Sequence, residues 1–272
     1  MTVKSETRIM AVFCDFENVA LGVRDAKYSA FDIKKVLERL LLKGNIVVKK
    51  AYCDWLRYKE FKATMHEAAF ELIDIPHVRQ SGKNSADIRM VVDALDLCYT
   101  KSHVDAFVII SGDSDFSPLV SKLRENNKLV IGVGVKNSAS DLLVANCDEF
   151  IYYDDLVRQS EQAKVGRRSR AKIAAKPAEK AAPSSDEERK QEAFDLVVET
   201  IDDLLEERDS EEKIWGSMVK QALKRRNPGF NETYHGFRTF GKLLEEARDR
   251  KLLEIEHDPK SGGYIILKAL VH

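Results

Sequence analysis

RIMAVFCDFENVA, residues 8–20, opens as an apolar run and stops on an acid at Asp15, with Glu17 and Asn18 close behind. DAFVIISGDSDF, residues 105–116, repeats the pattern, an apolar run that ends in Ser111, Gly112, Asp113, Ser114 and Asp115. Short apolar runs bounded by turn residues read as strands, and these two each break off at an acidic turn. A third acid, Asp87 in KNSAD, falls where a loop gives way to a helix. Carboxylates gathered at one edge of a sheet repel one another unless a cation sits among them. The recurrence points to a hard divalent metal and to phosphodiester chemistry.

Outward from these runs, Arg8 to about Asp154 alternates between apolar runs and amphipathic stretches, as expected of a parallel sheet with helices on both faces. The expected strands are residues 9–14, 46–53, 71–76, 105–110, 129–135 and 149–153. Ile33, Val36, Leu37, Leu40 and Leu41 recur at helical spacing, as do Ile88, Val91, Val92, Leu95 and Leu97. The expectation is an α/β domain. From Val157 the chain changes character: Arg158, Lys164, Arg167, Arg168, Arg170, Lys172 and Lys176 are interleaved with Ala, Ser and Pro. Too little apolar content remains there to offset the entropy of ordering, which reads as a linker, either a solvated tether or a basic strap for phosphate. Beyond it, Phe194, Val197, Val198, Ile201, Leu204 and Leu205 mark one amphipathic helix. Trp215 to Leu223 and Phe237 to Ala247 mark two more, and LLEIE and YIIL form a hairpin. Three helices closed by a hairpin read as a winged helix.

The chain of 272 residues is longer than one typical domain, and its hydrophobic fraction of 44% suits a soluble protein. A formal net charge of -1 gives no global pull on nucleic acid, so affinity for phosphate must come from local patches. There is no apolar run long enough to span a membrane, and MTVKSETRIMAVFCDF lacks the apolar core and cleavage site of a signal peptide, so a cytoplasmic location is expected. Cys14, Cys53, Cys98 and Cys147 are dispersed without CxxC spacing, which removes the case for a zinc site or a disulfide scaffold.

In an open α/β sheet ligands collect at the carboxyl ends of strands. If the strands ending at Asp15 and Asp113 are neighbours, their carboxylates meet and hold Mg²⁺ or Mn²⁺ through one or two direct contacts plus waters. Asp87 is expected in the first turn of a helix, where the dipole favours it. Asp93, six residues on, is rotated by about 120° and needs a second metal, a water or a structural role. Asp115 either joins the acids or caps a helix. The chemistry is hydrolysis, a divalent ion activating water toward phosphorus and stabilising the leaving oxygen. No Ser-His-Asp or Cys-His pair has a credible strand-end placement, and His66, His77 and His103 read as helix-face or surface residues rather than catalytic ones. Arg79, Lys83, Lys136 and Asn137 lie near the acidic edge and are candidates for receiving a phosphate backbone.

CDFENVA, KNSADIRMVVDAL, SGDSDFSPLV and VGVKNSASDLLVANCDEFIYY, in this order and spacing, resemble the NYN domain, a branch of the PIN-like nuclease superfamily that includes LabA-like and DUF88 proteins. The resemblance covers residues 8 to about 155 and implies a parallel-sheet fold with a Mg²⁺- or Mn²⁺-dependent ribonuclease centre. It implies Asp15, Asp87 and Asp113 as metal-binding carboxylates, with Asn18, Asp93 and Asp115 in support; Asp115 joins the metal set as well. The C-terminal segment is similar to the LOTUS domain, or OST-HTH, through Met218 to Leu223, NPGF at 227–230, HGFRTFGKLLEEA at 235–247 and GGYIIL. That likeness implies RNA or protein binding, with Lys220, Lys224, Arg225, Arg226, Arg238 and Lys242 as candidate RNA contacts and Phe230 as a buried anchor. Tyr234 and Lys260 are weaker candidates.

The resulting expectation is a nuclease domain over 1–157, a basic linker over 158–189 and a winged helix over 190–272. RNA is the partner, no membrane is involved, and a protein partner or a homodimer stays open. The alternative is a non-cleaving RNA-binding or protein-interaction adaptor. A Toprim-like site built on Glu17, Asp113 and Asp115 leaves Asp87 without a role, and a phosphatase with Asp15 as nucleophile lacks a second aspartate where Glu17 stands.

Overall fold

The computed structural model describes residues 8–28, 30–75, 84–160, 184–206, 213–259 and 261–270. The chain divides into two compact units, Met1–Ala171 and Lys172–His272. The first unit is built on six strands: β1 (Arg8–Asp15), β2 (Gly44–Cys53), β3 (Glu71–Asp74), β4 (Ala106–Ile110), β5 (Leu129–Gly134) and β6 (Glu149–Tyr152). Their order is β3-β2-β1-β4-β5-β6 and every pair is parallel. The strands expected to carry Asp15 and Asp113 are therefore neighbours, with Cys14 opposite Ile110. The order runs one way from β1 to β3 and the other way from β4 to β6, so the sheet reverses between β1 and β4. Adjacent connections splay apart at such a point and leave a crevice at the carboxyl ends.

Helices α1 (Phe16–Asp25), α2 (Ile33–Leu41), α3 (Lys62–Glu67), α4 (Ser85–Thr100), α5 (Ser117–Glu125), α6 (Asp141–Asn146) and α7 (residues 153–160) cover the two faces. The two-residue period of β1 explains its unbroken apolar sequence. Met10, Val12 and Cys14 enter one core with Ile33, Val36 and Leu40, while Ala11 and Phe13 enter the other with Met90, Ala94 and Phe116. All four cysteines are free and buried.

Helix α4 packs differently from the sequence expectation. Its buried stripe is Met90, Ala94 and Cys98, with Val91, Leu95 and Leu97 partly covered, whereas Ile88 and Val92 are 63% and 55% exposed. The helix is apolar on more than one side, and small residues at the closest approach to the sheet decide which side turns inward.

The second unit contains α8 (Ser184–Glu206), β7 (Ile214–Trp215), α9 (Gly216–Arg226), α10 (Phe240–Asp249), β8 (Leu253–His257) and β9 (Tyr264–Ala269). Its sheet is antiparallel in the order β7-β9-β8; β7 was not foreseen, being only two residues long. Helix α9 ends at Asn227 because Pro228 disfavours helical backbone before it. Phe230 is 6% exposed and packs edge-on against Phe240 at 6.5 Å. Part of the expected linker is helical: residues 158–160 belong to α7 and residues 184–189 to α8, while 161–183 lie outside the described residues. Among the described residues no helix is long and apolar enough to cross a membrane.

Candidate active site

Three elements deliver acids to the crevice between β1 and β4. Asp15 ends β1 and caps α1, its carboxylate accepting from the Asn18 amide at 3.3 Å and from the Ser111 hydroxyl at 2.9 Å. Asn18 reaches across to accept from the Gly112 amide at 2.9 Å, tying α1 to the exit of β4. Asp113 caps the short 3₁₀ turn Ser114–Phe116 by accepting from the Asp115 amide at 3.0 Å, and its own amide donates to Ser111 at 3.2 Å. Gly112 is required at this turn: a Cβ there would lie 2.5 Å from the Ser138 carbonyl oxygen. The loop after β5 is thereby held against the SGD turn, and the Ser140 amide donates to the Gly112 carbonyl at 2.9 Å. Asp87 sits half-buried in the first turn of α4.

The charges of Asp87 and Asp113 act on Asp15, and that of Asp113 acts on Asp87. Asp15 is 8% exposed, and burial followed by the Asp87 charge pushes its carboxyl up to about 7, Asp113 adding to the rise and the Ser111 and Asn18 hydrogen bonds opposing it. Burial and then the charges of Asp113, Asp115 and Glu17 push Asp87 up to about 6. Among the described residues no Lys or Arg pairs with Asp15, Asp87, Asp113 or Asp115. The oxygen-rich donor set suits a hard cation. Among the described residues no three His, Cys, Asp or Glu side chains form a group that could hold a metal ion.

Other expected site residues fall elsewhere. Asp93 does not join the crevice: it accepts from Tyr52 at 2.9 Å and from Arg89 at 3.0 Å, and pairs with Lys50 at 3.3 Å. Burial raises its carboxyl, but the Tyr52 and Lys50 donors outweigh that and hold it below the ordinary value. Six residues of helix carry it about 9 Å along α4 from Asp87, away from the crevice. Asp115 is exposed at the rim. Glu17 pairs with Arg57 at 3.0 Å, a contact the sequence hid because Arg57 follows β2, far along the chain from Glu17. The position of Arg57 just after a strand was the available signal.

The fold has known relatives. NYN domain is the family matched, over residues 9–154. The chain belongs to the NYN domain family. Its relatives include the Meiosis regulator and mRNA stability factor 1 of Xenopus tropicalis, 25% identical over 148 residues, 54% of this chain and 9% of that protein. An uncharacterised protein of Methanocaldococcus jannaschii is 27% identical over 112 residues, 41% of this chain and 43% of its own length. The chain thus spans less than half of either curated relative. The crystal structure of a Vibrio parahaemolyticus protein of unknown function is similar at a TM-score of 0.50 and 27% identity, covering 56% of this chain and 96% of that one.

Around the NYN acids, Lys136 and Asn137 are exposed on the loop after β5, next to the SGD turn; the Lys136 ammonium lies 6.0 Å from the centre of the Tyr152 ring. Arg79 and Lys83 lie outside the described residues. In the second unit Lys220 pairs with Glu232 at 2.6 Å, Arg226 with Asp203 and Glu199, and Lys242 with Glu245. These three expected RNA contacts are engaged within their own unit. Lys224 is half-buried at the end of α9, and Arg225 and Arg238 are exposed. Tyr234 stacks against the Arg189 guanidinium at 5.5 Å, and Lys260 lies outside the described residues.

Proposed function

We propose that this NYN domain is a Mg²⁺- or Mn²⁺-dependent ribonuclease that hydrolyses RNA phosphodiester bonds at the crevice between β1 and β4. We further propose that the second unit is a LOTUS, or OST-HTH, winged helix that retains RNA. One observation carries the reading: at the reversal point of a parallel sheet the charges of Asp87 and Asp113 raise the cost of ionising buried Asp15, and that of Asp113 raises the cost at Asp87, the three acids coming from three different elements. A divalent ion there would be held by one or two of these carboxylates with waters completing its shell. When bound, it supplies electrophilic stabilisation of the phosphate and lowers the pKa of water. The chain contributes the rest. Ser111 and Asn18 fix the Asp15 carboxylate, and the 3₁₀ turn fixes Asp113. Exposed Lys136 and Asn137 at the rim, with Arg225 and Arg238 on the second unit, supply phosphate contacts. The name of the Xenopus relative, an mRNA stability factor, supports RNA as the substrate. The antiparallel sheet behind three helices supports the winged-helix reading.

The test is a panel of labelled RNA and DNA oligonucleotides, incubated with and without Mn²⁺, with wild-type and Asp113→Asn protein side by side. Metal-dependent RNA cleavage lost in the variant, with RNA binding intact, is expected; undiminished cleavage by Asp113→Asn overturns the assignment. A second reading, a non-cleaving RNA-binding adaptor, is favoured by the absence of a closed ligand cluster among the described residues. Thermal stabilisation by millimolar Mn²⁺ separates the two, because an ion bound only by the folded state stabilises it by linkage.

A further inference from the structure

The crevice has a neighbour with different chemistry. On the far side of α1 from Asn18, Ala20 and Arg24 line a cleft of about 380 Å³ with Tyr28, Phe31, Tyr58 and Phe61. This volume lies in the range of small-ligand pockets, about 300–1,000 Å³. Phe31 is buried, while the other three rings are only partly covered. The rings are held by packing rather than left loose: Phe16 meets Phe31 at 6.0 Å, Tyr58 at 5.6 Å and Phe61 at 5.1 Å. The Tyr28 hydroxyl donates to Asp154 at 3.0 Å, fixing that ring as well. Two guanidinium groups stand on the rim, Arg24 and Arg57, the latter 6.0 Å from the centre of the Tyr58 ring.

Two links join this cleft to the acids. Phe16, the ring against which Phe31, Tyr58 and Phe61 pack, follows Asp15 directly in the chain, and Arg57 bonds Glu17, whose charge acts on Asp87. Aromatic faces with arginines beside them are the means by which proteins hold single-stranded nucleic acid without reading its sequence, the rings stacking on bases and the cations meeting phosphate. We propose that this cleft is a nucleobase-binding subsite, which accepts one unstacked base of a single-stranded RNA whose backbone runs into the acidic crevice. The position of the substrate relative to the acids rests on the ribonuclease reading above. Glu60 on the same rim offers an acceptor to an exocyclic amino group, which adenine, cytosine and guanine carry and uracil lacks.

The experiment measures binding of fluorescent single-stranded RNA octamers to the full chain in EDTA, where no cleavage occurs. Half of the octamers are intact and half carry a single abasic position, which is moved along the strand. Stacking of one base corresponds to about tenfold or more in affinity. At one position the abasic RNA is expected to bind about tenfold more weakly to wild-type protein. Tyr58→Ala is expected to bring intact RNA to the abasic level while leaving abasic RNA unaffected. Because Tyr58 also packs on Phe16, Ala30→Trp serves as a second variant: it fills the cleft from an exposed lining position and removes no buried group. Circular dichroism confirms that each variant is folded. Equal binding of all octamers to wild type, or a retained base preference in a folded Ala30→Trp protein, overturns the subsite. A chain that shows the preference and never cuts RNA keeps the subsite and loses the ribonuclease; one that cuts without the preference does the reverse.

Discussion

Asp15→Asn, in protein stripped of divalent ions, is expected to raise the melting temperature at pH 8 and to leave it nearly unchanged at pH 5. Burial and the Asp87 charge lift the Asp15 carboxyl from 3.8 in a free chain to about 7 in the fold. The folded state then binds the proton more tightly than the unfolded chain, so stability falls as pH climbs from the lower value through the higher one. By pH 8 the ionised carboxylate costs ~4 kcal/mol, at ~1.4 kcal/mol for each pH unit separating the two values. At pH 5 only the unfolded chain has released the proton, and the cost is ~1.7 kcal/mol. Asparagine carries no charge at either pH, but it offers one acceptor where Ser111 and Asn18 both donate, a loss of ~1 kcal/mol. The net gain is ~3 kcal/mol at pH 8 and under ~1 kcal/mol at pH 5. A domain of this size gains ~2–4 °C per kcal/mol, which gives ~6–12 °C at pH 8 and under ~4 °C at pH 5. Circular dichroism melts in EDTA at the two pH values, following the NYN transition, measure this. Millimolar Mn²⁺ should then stabilise wild type at pH 8 and not the variant. An Asp15→Asn protein that melts at or below wild type at pH 8 would refute the view that the acids repel one another across the crevice.

The remaining predictions concern the parts that hold the site and the second unit. Asp93→Asn should cost about 3 kcal/mol in denaturant unfolding, because it leaves Lys50 and Arg89 poorly paired, and should leave cleavage per folded molecule unchanged; loss of cleavage in a stable variant would restore Asp93 to the active site. Gly112→Ala sets a methyl against the Ser138 backbone, and should cost ~1–3 kcal/mol and most of the cleavage, read from urea titration and the RNA assay together. Phe230→Ala should destabilise the second unit by ~3–5 kcal/mol and leave the NYN melting transition in place, which calorimetry resolves. The double variant Arg225→Gln, Arg238→Gln should reduce the slope of log affinity against log salt by about 1–2, whereas Lys220→Gln should act mainly on stability through Glu232.

The strands of the first unit were legible because buried parallel strands are continuous apolar runs between turn residues, and the observed ends fall within about two residues of those expected. Asp15, Asp87 and Asp113 were legible as strand ends and a helix start, and the fold places all three at the reversal point. Asp93 was not, since its partners Tyr52 and Lys50 lie on β2, some forty residues earlier, and no local pattern reports a tertiary ion pair. The phase of α4 failed for a related reason: Ile88 and Val92 outrank Ala94 and Cys98 in hydrophobicity, yet close packing on the sheet favours the smaller side chains. The basic residues of the second unit were legible as charges and not as interactions, because Glu232, Glu199 and Asp203 reach them only in the fold.

The contrast between paired and unpaired acids is what gives the crevice its meaning. The first unit pairs several of its other partly buried carboxylates with cations: Lys43 meets Glu149 at 2.8 Å, Arg124 meets Asp148 at 3.1 Å, Lys50 and Arg89 meet Asp93, and Arg57 meets Glu17. At Asp15 and Asp113 the positioning partners are instead a serine hydroxyl and backbone amides, which orient an oxygen and cancel little of its charge. Selection for stability alone would have put a cation beside Asp15 or an apolar residue in its place, because an uncompensated buried carboxylate is among the costlier features a core can hold. Among the described residues the cluster is oriented without a cationic partner, which supports the proposed divalent ion as its source of positive charge, and the Mn²⁺ dependence of the Asp15→Asn melting pair measures that charge.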